Sequence, residues 1–203
     1  TLARLMAKAF DAITGADYSS QKHAEAVNEQ LRWLNRLEFK DWVPPALAFV
    51  VRQNQQPEAM LYFFQGMEWL AYSMLARKSG VNDRLERFSA LTSAIEKGQD
   101  LAAPTSPLQL TPLEQHETFT ALNGPLYETH SSRAIATLMQ RLDHLMADGS
   151  ASYQHDIVSV EHIMPQNEAL SPEWQAELGS EWQRVQQTWL HTLGNLTLTG
   201  YNS

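Results

Sequence analysis

Glu161 and His162 stand side by side at the end of a short β-branched run, Asp156-Ile157-Val158-Ser159-Val160. Asn195 and Asn202 flank a second such run, Leu196-Thr197-Leu198-Thr199. Residues of these types can hydrolyse a phosphodiester. That reaction needs a water deprotonated near phosphorus and a cation that stabilises charge on the scissile and leaving oxygens. A His at a strand end can serve as the base. Hard oxygen ligands suit Mg2+, which keeps several of its waters and needs only one or two protein groups. His162 is therefore the candidate base, and Glu161 and the side-chain oxygen of Asn202 are the candidate metal ligands. Strand side chains alternate, so Glu161 and His162 reach one site only if the strand ends or bends there; Pro165 supplies such a break. The same residues also have a plainer reading, as a surface acid beside a satisfied His. Gly194-Asn195-Leu196 then reads as a turn before an edge strand.

The elements around these residues follow from pattern. The runs 156–160 and 196–199 read as short strands, with Gly200 as a turn. Between them, Ser171-Pro172-Glu173 is a capped helix start with Pro at its first position, and Ser180-Glu181 is a second start. Residues 172–191 thus form a helical insertion carrying Trp174, Trp182, Trp189 and Leu190. The first 150 residues read as helical. Val27, Leu31, Trp33 and Leu34 fall near a 3.6 period, and Pro44-Pro45 opens a helix through Val51. A wide apolar face runs from Glu58 to about Ser79. Gly80 reads as a C-terminal stop, and Asn82 or Asp83 as the cap of a helix through Ile95. Gly98–Pro112 reads as a loop, followed by helices over Leu113–Leu122 and Ser131–Met146. Asp148-Gly149-Ser150 reads as a linker. It divides a helical region, 1–150, from a small domain, 151–203.

Composition excludes several function classes. The 203 residues hold no Cys, which rules out disulfides and thiolate zinc sites and fits a cytoplasmic protein. No apolar run is long enough to span a membrane. Gly-rich phosphate loops, nucleophile elbows and His-Glu-x-x-His motifs are absent. The net charge of −8 runs against a large DNA-binding surface. Residues 151–203 hold one Arg against six acids, and residues 1–150 hold 14 cations against 17 acids. The expectation is that the main DNA-binding surface lies on a segment missing from this chain, which begins at Thr1 without an initiator Met.

The segment Glu161-His162-Ile163-Met164-Pro165-Gln166, then Gly194–Leu198 and Asn202, resembles the HNH-type C-terminal domain of GmrSD-type modification-dependent restriction enzymes and their phage-defence relatives. An acid-His-Ile-x-Pro-Gln segment, a later Gly-Asn-Leu-Thr-Leu and a further Asn occur there in the same order. The stretch is also similar to the HNH domain of the CRISPR effector nuclease. The resemblance implies that His162 is the general base and that Glu161 and Asn202 bind one Mg2+ or Mn2+ ion. It implies that Asn195 belongs to the catalytic set mainly as a structural residue, pinning the loop that carries the base. Glu161 stands where Asp is more usual and adds a methylene. Upstream, Phe39-x-x-Trp42-x-x-Pro45-Ala46, Trp69-x-x-Tyr72 and Asn82-x-x-Leu85-x-x-Phe88 are similar to the helical region that precedes this domain. The family's N-terminal Asp-Gly-Gln-Gln-Arg-type motif is absent, so any nucleotide dependence would belong to a missing N-terminal domain of the same protein. HNH folds close with a helix after the second strand, and Ser203 falls at its expected start; the 203-residue chain by itself is expected to cut poorly or not at all.

Other groups carry less. His155, His162 and His191 share no compact zinc spacing, and His191 is expected to pack near the turn. His116, His130 and His144 are expected to be exposed. Trp69, Tyr72, Phe63, Phe64, Met67 and Met74 read as core rather than a ligand box. Arg77, Lys78, Arg84 and Arg87, interleaved with Asp83 and Glu86, read as a solvated face rather than a phosphate patch. The expected fold is mainly α, a helical bundle followed by a small ββα-metal element truncated at its C-terminus. The expected function is a metal-dependent DNA endonuclease domain acting on modified or foreign DNA. The alternative is a non-catalytic scaffold or DNA-binding module with a degenerate HNH remnant.

Overall fold

The computed structural model describes residues 1–53, 56–147 and 158–200. The described residues are mainly helical, with one two-stranded antiparallel sheet. No helix among them is long and apolar enough to cross a membrane. The chain divides into two compact units, Thr1–His116 and Glu117–Ser203. The expected linker at 148–150 lies outside the described residues, as do His155 and Asn202.

The first unit is built from α1 (Leu2–Gly15), α2 (Ala24–Arg36), α3 (Val43–Gln53), α4 (Pro57–Ala76) and α5 (Val81–Glu96), and from the start of α6 (Pro112–Leu122). α2 packs on α4, and α3 packs on α1 and α5. Leu31, Leu34, Trp42, Phe63, Phe64, Met67, Leu70 and Leu91 are fully buried in its core. Phe63 stacks on Phe49 with ring centroids 3.9 Å apart and meets Phe64 edge-on at 5.2 Å. Leu108, in the loop after α5, seats against Gly66, where any Cβ would lie only 3.0 Å from the Leu108 side chain. Any larger residue there would push the Leu108 side chain back by a few tenths of an ångström.

α4 ends at Ala76, with Lys78 in the left-handed region (φ 54°) and Ser79 N donating to Met74 O, so Gly80 does not stop that helix. Gly80 is instead the N-cap of α5, and its N–H donates to the carboxylate of Asp83 at 3.2 Å. Trp69 is 71% exposed, not core. α4 is apolar around most of its circumference, so periodicity alone does not say which face is covered. Its inward stripe is Phe63, Phe64, Met67, Leu70, Ala71 and Met74.

The arginines form neither a phosphate patch nor a solvated face. Arg84 pairs with Asp41 at 2.7 Å and lies over the Phe39 ring. Arg77 and Arg87 converge on Glu114 at 3.4 and 3.1 Å, with all three side chains largely buried. Glu114 also accepts from Thr111 N and Oγ1, while Thr111 Oγ1 accepts from Glu114 N. This reciprocal box caps α6, whose Pro112 occupies the first helical position. Burial pushes the Glu114 carboxyl up, but the Thr111 N–H and the two guanidiniums more than offset this and hold it below the ordinary value of 4.5. A depressed carboxylate pKa contributes stability above its unfolded value and loses it as pH falls through the folded one. We therefore expect Glu114→Gln to destabilise the protein by about 2 kcal/mol at neutral pH. In urea melts the gap to the native protein should narrow as the pH is lowered below 4.5. A gap that stays constant into the acid range would contradict this.

The second unit holds the rest of α6, α7 (Leu126–Thr129), α8 (Ser132–Met146), β1 (Val158–His162), α9 (Pro172–Leu178), α10 (Trp182–Trp189) and β2 (Leu196–Gly200). Ser131 Oγ caps α8 by accepting from Ala134 N at 3.1 Å. Ser171 caps α9 in the same way, and a short 3-10 turn, Gly179–Glu181, leads into α10. β1 and β2 pair antiparallel, with Val158 opposite Gly200 and His162 opposite Leu196. Ile135 and Met139 of α8 bury against Leu196, with Val160 and Leu198 packed beside them. One face of the ribbon therefore lies on α8.

Candidate active site

β1 runs two residues beyond the expected strand and stays paired through His162. Side-chain alternation then sends Glu161 and His162 to opposite faces. Glu161 lies on the polar face, where its Oε1 accepts from Ser159 Oγ at 3.0 Å and Ser159 Oγ meets Thr199 Oγ1 at 2.8 Å. His162 lies on the other face with Val160 and Leu198, beyond the apolar packing on α8. The break at Pro165 comes after the ribbon has set both directions, so the structure does not bring these two side chains onto one face. Among the described residues, no group of three or more His, Asp or Glu could share a metal ion.

His162 sits among aromatic rings. Tyr127 of α7 meets it edge-on with centroids 4.3 Å apart, and His191 meets it edge-on at 5.4 Å. Tyr127 and His191 lie near-parallel at 5.8 Å. Gln166 donates from Nε2 to His162 Nδ1 at 2.9 Å, so Nδ1 is the nitrogen at the accessible edge. His162 Nε2 is buried and has no hydrogen-bond partner among the described residues. Burial and the neighbouring His191 hold the imidazole below its usual pKa, against a smaller opposing pull from Glu161. Such a ring stays neutral, and so able to take a proton, into more acidic solution than a free histidine.

Asn195 occupies the turn before β2 and is only 7% exposed. Its Oδ1 accepts from Met164 N at 2.7 Å, and its Nδ2 donates to Leu190 O at 2.8 Å and Met164 O at 3.3 Å. Its backbone carbonyl accepts from Ile163 N at 2.9 Å. One amide side chain thereby ties the loop after His162 to the end of the helical insertion. From α10, Gln186 adds a second tie by donating to Asn167 O at 2.8 Å and Pro165 O at 3.3 Å. Met164 and Leu170 are buried.

Sequence reasoning missed the company His162 keeps. His191 was expected to pack near the turn, and it does so on Tyr127 while its Nε2 lies 3.5 Å from Glu128 Oε1. Nothing in the sequence placed Tyr127 or Glu128 beside either imidazole. Gln166 stood in the motif without a role, although its place four residues after His162 was a usable signal.

No curated protein and no solved structure matches the chain. Residues 114–203, which contain Glu161, His162, Asn195 and Asn202, match the family model of GmrSD restriction endonucleases, C-terminal domain.

Proposed function

We propose that this chain carries an HNH-type nuclease site with DNA as substrate, part of a restriction enzyme that acts on modified or foreign DNA. The family match supports a restriction-endonuclease-related function. The observation that carries the finer reading is the Asn195 clamp. A buried amide fixes the backbone immediately after His162 from both sides, as a base held in one position requires. A surface acid beside a satisfied His would need no such support, and His162 Nε2 has no hydrogen-bond partner among the described residues.

The donor chemistry of Glu161 fits a hard cation. Its carboxylate is exposed on a hydroxyl-bearing face beside Ser159 and Thr199, which suits a magnesium or manganese ion that keeps most of its waters. Glu161, which the paired strand sets on the face opposite His162, would hold that ion together with Asn202 once the strand end bends to bring both side chains to one phosphate. β2 runs away from Glu161, since Gly200 stands opposite Val158. When bound, the ion neutralises developing charge on phosphate oxygens. The protein's own residues orient and deprotonate. His162 Nδ1 receives the proton of the attacking water, Gln166 gives up its hydrogen bond to make room for that water, and Asn195 and Gln186 keep the loop from recoiling.

Plasmid cleavage by the full-length protein tests the reading, run with Mg2+, Mn2+ or EDTA on modified and unmodified DNA. Cutting should need the metal. Glu161→Gln should slow it by roughly 10- to 100-fold at saturating metal, a loss typical of weakened metal support. A well-folded protein that cuts no substrate under any of these conditions favours the alternative of a non-catalytic scaffold or DNA-binding module.

A further inference from the structure

His162 Nε2 is buried without a nitrogen or oxygen partner among the described residues, and so is His191 Nδ1, so the two imidazoles do not bond to each other. The other nitrogen of His162, Nδ1, accepts from the Gln166 amide. A neutral imidazole carries one N–H and one lone pair, so a donor at Nδ1 leaves the proton on Nε2. A buried N–H that faces nothing costs stability. What this one faces is an aromatic ring. Tyr127 crosses His162 at 73° with centroids 4.3 Å apart, nearer than His191 at 5.4 Å. That separation decides which ring turns its edge. Carbon atoms settle about 3.5–4.0 Å apart, and a phenol edge aimed at the imidazole plane would drive its C–H well inside that distance. The five-membered ring is smaller, and its N–H edge fits over the phenol face.

We infer that the π face of Tyr127 accepts the Nε2–H of His162 and so fixes the tautomer in which Nδ1 can take a proton. An N–H over an aromatic face is a weak hydrogen bond, drawn by the negative charge that the ring carries on its face. Burial makes it count, because the nitrogen is closed to solvent. Tyr127 is itself held in place. Its N–H donates to His191 O at 3.1 Å, and its side chain packs against Ile135, Met139 and Leu196. Asn195 thus fixes the chain after the base, and Tyr127 fixes the ring. Tyr127 acts through His162 and is a positioning residue. The inference rests on the proposed role of His162 as base and adds which group keeps its reacting nitrogen unprotonated.

Long-range 1H–15N NMR of the full-length protein labelled at histidine tests this without a nuclease assay, with His162→Asn identifying the signal. At a pH where the imidazole is neutral, His162 should be the Nε2–H tautomer. That proton should lie upfield of other imidazole N–H protons, because it sits in the ring current of Tyr127. Tyr127→Phe keeps the face and should keep both signatures. Tyr127→Leu should abolish the upfield shift and let the Nδ1–H tautomer appear. On DNA, Tyr127→Leu should lower kcat by about 3- to 10-fold with KM unchanged, the scale of one weak hydrogen bond in a buried place. Tyr127→Phe should stay within about twofold of native. The native spectrum decides even if the leucine variant does not fold: a His162 N–H at the ordinary position, or a proton on Nδ1, overturns the inference. A leucine variant that keeps the native spectrum, or a phenylalanine variant that loses it, does the same. Both signatures in a protein that cuts nothing would keep the inference and remove the nuclease reading.

Discussion

His162→Ala should leave the circular dichroism spectrum and melting profile of the full-length protein close to native and reduce metal-dependent DNA cleavage by at least 100-fold. The side chain supplies the only base in the proposed site, and general-base catalysis is worth roughly 10²- to 10⁴-fold. The fold should tolerate the change because the ring makes one hydrogen bond, to the Gln166 amide, and is packed by two neighbouring rings rather than sealed in the core. Binding of DNA should persist, since no phosphate contact is assigned to His162. If the variant cuts at a native rate, His162 is not the base and the reading of the site fails. If it unfolds, His162→Asn, which preserves polarity and most of the volume, separates loss of fold from loss of chemistry.

Asn195→Ala should behave differently, losing stability and activity together. Three side-chain hydrogen bonds disappear, the N–H of Met164 is left buried without its acceptor, and the carbonyls of Met164 and Leu190 lose a donor. Each buried group stripped of its partner costs about 1–3 kcal/mol, so the variant should be less stable by about 3 kcal/mol, and denaturant melts measure this directly. Asn195→Asp is the sharper probe. It matches the shape and keeps the acceptor for Met164 N, but it turns a donor toward two carbonyl oxygens into a second negative oxygen. It should be no more stable than the alanine variant. An aspartate variant as stable as the native protein would mean that the amide does not clamp the loop as described.

Legibility from sequence varied with how local each feature is. The base, the loop after it and the clamp stand in two contiguous motifs, so His162 and Asn195 could be singled out, and the cap at Ser171 followed from one residue before a Pro-led helix start. The partner rings were not legible. Tyr127, His162 and His191 come from three distant stretches, and only the packing of the second unit makes them neighbours. Strand length was misjudged because Glu161 and His162 lack β-branched side chains, whereas pairing with Leu196 and Thr197 extends the ribbon through them. That extension is why Glu161 and His162 diverge. Thr111-x-x-Glu114 is a capping box that could have been read, but the prolines of 104–112 masked it as loop. The arginines of 77–87 looked solvated because their acidic partners, Asp41 and Glu114, lie far from them in sequence.

The clamp between Met164 and Asn195 spans a separation of 31 residues, and the intervening helices α9 and α10 reach the loop chiefly through Gln186. An excursion closed at its base in this way is modular. Closure entropy grows slowly with length, about 0.6 kcal/mol for each doubling, so the helices between can lengthen or shorten while the geometry at His162 is preserved, provided Gln186 and the Leu190 carbonyl keep their places. Evolution can therefore vary this segment and leave the reacting groups untouched, which makes it the natural place for lineages to diverge and for grafted sequences to be tolerated.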